Sequence, residues 1–236
     1  MSAKKRDKEL WRARLYAPAF RIQDAARYAE ISAQTVARWH NLTGTNRSVL
    51  SHKQPREALS YLQLIELAVV ASMRGLGVPL EKIRLAREYL ATQMRSEYPL
   101  AEYEFKTDGK ELLVELKDVD PGGAVDSLVA ASSKGQLVWK EALRRRLDEF
   151  EYETGGIARQ WWLRGRNKPV VIDPTIAFGA PNVGTIPTWA VRQHWDAGES
   201  IKDIANDFGI KTALVECALE FEGLKPDHSR RDLWAS

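Results

Sequence analysis

Phe20 to His40 read FRIQDAARYAEISAQTVARWH, and this stretch decides how the front of the chain folds. Ile22, Ala25, Ala26 and Ala29 recur at helical spacing and give a small apolar face. Ile31 then fills a turn, Ser32 is a good N-cap, and Thr35 to His40 begin a second helix with Val36 facing inward. Small alanines suit two helices that must cross closely, which is what a helix-turn-helix demands. In that geometry Ser32, Gln34, Thr35, Arg38 and Asn41 lie near the start of the helix that would enter a major groove. Arg38 and Gln34 carry the chemistry to read base edges, or are ordinary solvated helix residues. Trp39 is expected in the core.

The stretch that follows, Asn41 to Leu59, is polar and turn-rich and carries Arg47, Lys53 and Arg56. It reads as a wing whose cations rest on phosphates. Ser60 to Met94 then supplies two apolar helices split by Gly75 and by Gly77-Val78-Pro79. Here the chain resembles the MerR superfamily of winged-helix regulators. The resemblance rests on Tyr61, Leu62, Leu64, Ile65 and Leu67, and on Leu76-Gly77-Val78-Pro79-Leu80-Glu81-Lys82-Ile83-Arg84. It covers about a third of the chain and implies a winged helix that binds DNA. One departure matters: the long dimerising helix usual in that family is cut off before Pro99, so dimerisation must lie elsewhere.

Charge divides the chain. Residues 1–95 hold 17 Lys+Arg against 8 Asp+Glu, a net +9, while residues 96–236 hold 18 against 24, a net −6. A basic front suits a polyanion such as DNA, and an acidic rear suits a basic protein. At 236 residues, with 44% hydrophobic residues, two domains or one elongated chain can bury a sizeable core. The single cysteine, Cys217, excludes an internal disulfide framework, and a buried place on a helix is expected for it. No run nears the ~18 apolar residues of a membrane span, and the basic N-terminus lacks an apolar signal core, so a cytoplasmic protein is expected. His40, His52, His194 and His228 show no metal-ligand spacing. There is no nucleophile motif and no phosphate loop, so neither an enzyme nor a cofactor is expected.

Ser96 to Glu104 reads as a linker around Pro99, and Asp108-Gly109 as the turn of a hairpin. Val138, Ala142, Leu143, Leu147 and Phe150 give one face of a helix, whose Arg144-Arg145-Arg146 is its solvated side. IARQWWLRG and NKPVVIDP read as strands, which makes residues 98–172 a small α+β middle segment. Within the first strand Trp161 and Trp162 project to opposite faces, one into the core and the other a candidate interface anchor.

Farther on, Ser200 caps a helix Ile201–Phe208, Gly209 supplies a left-handed stop, and Lys211–Glu222 form another helix. Residues 184–224 carry three Lys+Arg and seven Asp+Glu. A helix bearing Glu216, Glu220 and Glu222 would approach phosphates at a loss, so this unit is expected to pack against protein. Asp203 and Asp207 read as an exposed acidic face.

This region resembles a widespread prokaryotic family of small antitoxin domains. The resemblance is carried by Pro174, Ile176, Gly179 and Pro181, by Gly184-Thr185-Ile186-Pro187, by Ala197-Gly198-Glu199-Ser200, by Asp203, Ile204, Asp207, Phe208 and Gly209, and by Ala218-Leu219-Glu220-Phe221. The arginine usual between threonine and isoleucine is missing after Thr185. The family implies a tail that drapes over a toxin, with Arg230 and Arg231 as candidates for its acidic site and Trp234 as anchor. The alternative is a floppy basic tail.

The expected architecture is mainly α: a MerR-like winged helix over 1–97, the α+β segment over 98–172, a three-helix antitoxin-type domain over 173–224, and a tail over 225–236. Together the two resemblances imply a long VapB-type antitoxin. Its expected partners are operator DNA and a PIN-domain ribonuclease toxin, bound as a homodimer because one helix-turn-helix covers only a half-site. The alternative is a MerR-like one-component transcription regulator without a toxin.

Overall fold

The computed structural model describes residues 11–40, 48–54, 56–102, 147–153 and 156–227. Helices make up about half of these residues, and a small antiparallel sheet lies in the middle of the chain. The chain divides into two compact units, residues 1–159 and 160–236.

The first unit opens with a helical segment over residues 11–16, then α1 (Ile22–Tyr28) and α2 (Ala33–His40). The two are joined through Glu30, a non-glycine residue at φ 57°. Ile31 N–H donates to Ala26 O at 3.0 Å and Glu30 N–H to Arg27 O at 3.3 Å, the paired bonds of a Schellman stop. Ser32 then caps α2: its hydroxyl accepts from Thr35 N–H at 3.1 Å and lies 2.8 Å from the Thr35 hydroxyl. Ala25, Ala26, Ala29, Val36 and Trp39 are buried, as the alanine spacing predicts.

The long helix α3 (Tyr61–Gly75) starts in a reciprocal capping box between Ser60 and Gln63, and nearly all of its faces are buried. A helix apolar all round belongs at the centre of a unit. It packs on α1, on α4 (Leu80–Met94) and on α5 (Pro99–Glu102). The last contact corrects the expected linker. Pro99, Leu100 and Ala101 are buried against α3, because Pro99 is well placed in a first helical turn and the two apolar residues after it cover the core.

The strands β1 (Phe150–Tyr152), β2 (Ala158–Trp162), β3 (Val171–Ile172), β4 (Asn182–Val183) and β5 (Ile186–Pro187) form one sheet in that order. Strands β2 to β5 pair antiparallel, with Trp161 opposite Ile172 and Val183 opposite Ile186. Phe150 therefore stands on a strand and not on the predicted helix. Its FEY run is aromatic and alternating, and pairing decides between the two periods. The Asp108-Gly109 hairpin, Arg144-Arg145-Arg146 and most of that predicted helix lie outside the described residues.

In the second unit, α6 (Thr188–Asp196), α7 (Ile201–Phe208) and α8 (Thr212–Phe221) pack on one another around Val191, Trp195, Ile204, Val215, Ala218 and Leu219. The predicted Ser200 cap and the left-handed Gly209 stop are both present. No helix among the described residues is long and apolar enough to cross a membrane.

Candidate functional site

Three of the candidate DNA-reading residues, Gln34, Thr35 and Arg38, lie on α2, and Ser32 caps it. Ser32, Gln34 and Arg38 are exposed, and Thr35 is half-buried because its hydroxyl serves the cap. Gln34 and Arg38 stand one helical turn apart, so both heads present on one side. A cleft of about 520 Å³ runs beside them, lined in part by Thr35, Arg38, Ser72 and Arg74. Burial of Val36 and Trp39 holds α2 down, and the Ser48 hydroxyl donates to Trp39 O at 2.9 Å, which pins the end of the helix to the next segment. Asn41 and Arg47 lie outside the described residues.

Lys53 is placed apart from that group. It lines a second cavity of about 490 Å³ with Arg21, His40 and Arg56. Its ammonium donates to Gln54 O at 2.8 Å and to Glu57 O at 2.6 Å, so it clasps its own loop as well as adding positive charge. Burial, then the nearby charges of Lys53 and His52, press the His40 imidazole down to about 4. His40 is therefore neutral at pH 7, and the net positive charge of this cavity comes from its lysine and two arginines, set against Glu57.

Behind this surface sits a buried junction absent from the sequence reading. Glu66 on α3 is 0% exposed. Its carboxylate accepts from Ser51 N–H at 2.9 Å and lies 3.4 Å from Arg87 Nε of α4. Arg87 donates in turn to Glu97 O at 2.6 Å. Burial pushes the Glu66 carboxyl above its ordinary range, and Arg87 and the Ser51 bonds only partly offset this.

In the second unit the protein-facing candidates fall in different settings. Trp161 is 0% exposed, so β2 turns it into the core, and Trp162 is the half-exposed member of the pair, with the Arg166 guanidinium 5.2 Å from its ring centroid. Of the two, strand alternation therefore leaves Trp162 as the candidate interface anchor. Glu216 is half-buried on α8, and Glu220 is exposed and paired with Lys168 at 2.6 Å. Arg230, Arg231 and Trp234 lie outside the described residues. Asp203 is not part of an exposed face: it is 7% exposed, and its carboxylate accepts from the Ser200 hydroxyl at 2.8 Å and from Ser200 N–H at 3.3 Å. Cys217 is half-buried, and burial with neighbouring Glu220 pushes its thiol up, away from reactivity.

Two apolar residues escaped the sequence reading. Phe178 is 80% exposed on the turn Ala177–Gly179, and Trp189 is 51% exposed in the first turn of α6. Ala177 (φ 46°), Phe178 (φ 56°) and Gly179 (φ 82°) are three consecutive left-handed residues, and the first two carry a Cβ. Each such residue costs about 1–2 kcal/mol, which the surroundings must overcome. Just before the turn, buried Asp173 accepts from Thr175 N–H at 2.7 Å, from its hydroxyl at 2.6 Å and from Gln160 Nε2 at 2.6 Å, and within it Gly179 N–H donates to Ile176 O at 2.8 Å and Ala180 N–H to Ala177 O at 3.1 Å. Thr188 N–H donates to Pro181 O at 2.9 Å, which brings the start of α6 to the end of the same loop.

No known family profile matches the chain. It is 25% identical over 225 residues to a Mycobacterium tuberculosis protein named as a candidate antitoxin, VapB45, covering 86% of this chain and 93% of that protein. It also superimposes on the crystal structure of Rv2018 from Mycobacterium tuberculosis with a TM-score of 0.70 and 24% identity, over 86% of this chain and 98% of that one. The second likeness is one of fold, and it extends over most of both chains.

Proposed function

We propose that the chain is the antitoxin of a type II toxin–antitoxin pair. In this reading α1 and α2 form a MerR-like winged helix-turn-helix that binds operator DNA and represses the operon. The acidic rear unit neutralises a PIN-domain ribonuclease toxin by occlusion, and a homodimer reads a two-fold operator in the cytoplasm. The protein then acts by binding and not by catalysis. The observation that carries the reading is a rigid corner with Gln34 and Arg38 exposed, joined in one chain to an acidic three-helix unit. The near full-length likeness to VapB45 supports it.

The reading helix is tested by Arg38→Ala. Exposed Arg38 contributes nothing to the core, so the variant folds normally. Losing one base or phosphate contact is expected to weaken binding to the protein's own promoter fragment by about 1–3 kcal/mol, with toxin binding unchanged. Equal promoter affinity in a gel-shift titration would remove α2 from the reading role.

The acidic surface is tested by charge reversal. Glu216→Lys with Glu220→Lys is expected to slow toxin association and weaken the complex, while DNA affinity stays equal or rises. Because Glu220 holds Lys168, its reversal also loosens an exposed pair worth at most about 1 kcal/mol, which a melting curve of the variant reads separately from toxin binding. A collapse of DNA binding instead would mean that the rear unit touches DNA.

Phe178 is proposed as an apolar contact for the toxin. Phe178→Gly relieves a left-handed residue and gives up little buried area. The variant is expected to be as stable as the parent or up to about 1 kcal/mol more stable, yet to bind the toxin more weakly. Thermal melting and a toxin titration measure the two effects, and a stable variant with full affinity would exclude Phe178 from the interface.

A further inference from the structure

We propose that His194, Glu199 and Asp207 form a binding site for a divalent transition-metal ion in the rear unit, a site independent of the antitoxin reading. The three residues come from the last turn of α6, the α6–α7 turn and the last turn of α7. One ligand atom from each lies within 4.8 Å of the other two. Gly198, at φ 96°, ends α6, and the following Glu199 N–H donates to His194 O at 3.2 Å. This folds Glu199 back on the histidine, so that Nδ1 of His194 stands 2.8 Å from Glu199 Oε2. That contact is a hydrogen bond, and it holds the two ligand atoms adjacent, so that an ion replacing its proton would reach both with bonds of about 2.0–2.2 Å. The Phe208 ring packs edge-on against the imidazole at 4.8 Å and fixes its plane.

Electrostatics argues in the same direction. Two carboxylates converge on one imidazole, Glu199 as its hydrogen-bond partner, and among the described residues no lysine or arginine forms an ion pair with Asp207. A bound cation would relieve this convergence. One nitrogen and two carboxylate oxygens select a borderline ion such as Zn2+ or Co2+ over Ca2+ or Mg2+, which take all-oxygen sets. Asp207 is exposed, so the remaining positions face solvent and would hold water. The ion would tie α6 to both ends of α7.

The test uses the full chain freed of metal by chelation, titrated with Zn2+ and with Co2+, and with Mg2+ and Ca2+ as controls. The expected result is one Zn2+-dependent rise in melting temperature of several degrees, and a visible absorption band on Co2+ binding. Asp207→Asn, at an exposed position, is expected to leave the metal-free melting temperature unchanged and to weaken Zn2+ binding at least about tenfold, with Glu199→Gln following it. No shift at millimolar Zn2+ would overturn the proposal. So would wild-type affinity in both variants, which would assign the binding to other histidines.

Discussion

Replacing Arg87 by alanine is expected to destabilise the first unit by roughly 3–5 kcal/mol at neutral pH, because it strands the buried Glu66 carboxylate without its counter-charge. The penalty depends on pH in a defined direction. Glu66 already titrates above its ordinary value, so between that value and the folded one the native state binds more protons than the unfolded chain. Stability contributed by this group is therefore complete at low pH and declines as pH rises through the folded value. Removing Arg87 raises the folded value further and extends the decline to higher pH, at about 1.36 kcal/mol per unit of pKa. Urea unfolding of Arg87→Ala should show its largest deficit at pH 7 and a smaller one at pH 5. Adding Glu66→Gln should restore much of the loss. An Arg87→Ala protein as stable as its parent at pH 7 would show that water reaches Glu66 and that the junction is not dry.

Trp161→Ala is expected to have a comparable effect on the second unit, for a different reason. The side chain is fully enclosed opposite Ile172, and its removal leaves a large cavity that a sheet of two- to five-residue strands cannot collapse to fill. Losses of about 3–5 kcal/mol accompany such truncations. Trp162→Ala, half-exposed on the neighbouring face, should cost far less. Parallel melting curves of the two variants separate them. Equal destabilisation would mean that both faces of β2 are closed by core.

Much of the architecture was legible because local chemistry and packing agree there. The alanines of α1, the Ser32 and Ser200 caps and the Gly209 stop each state one backbone requirement that tertiary contacts do not override. The stop at Glu30 was not legible, since a Schellman turn on a non-glycine residue leaves no composition signal. Pro99–Glu102 read as linker because four residues are too few to show a period, and only their burial on α3 makes them a helix. Asp203 could have been placed: a serine followed three positions later by an acid is the pattern of a capping box, and that pattern buries the acid. Trp161 and Trp162 mark the limit of alternation, which says that two neighbours face opposite ways but not which way is inward. The approach of Glu199 and Asp207 to His194 had no periodic signature, because it depends on two helix ends meeting across a turn.

The turn that carries Phe178 has a kinetic consequence. An aromatic ring on a floppy loop must give up its freedom at the moment of docking, and that loss is subtracted from affinity. Here the backbone stands in a left-handed turn closed by its own bonds, Gly179 N–H to Ile176 O and Ala180 N–H to Ala177 O, before any encounter. A complex formed through this ring should therefore owe its lifetime to slow dissociation, with encounter rates steered by the net negative charge of residues 184–224.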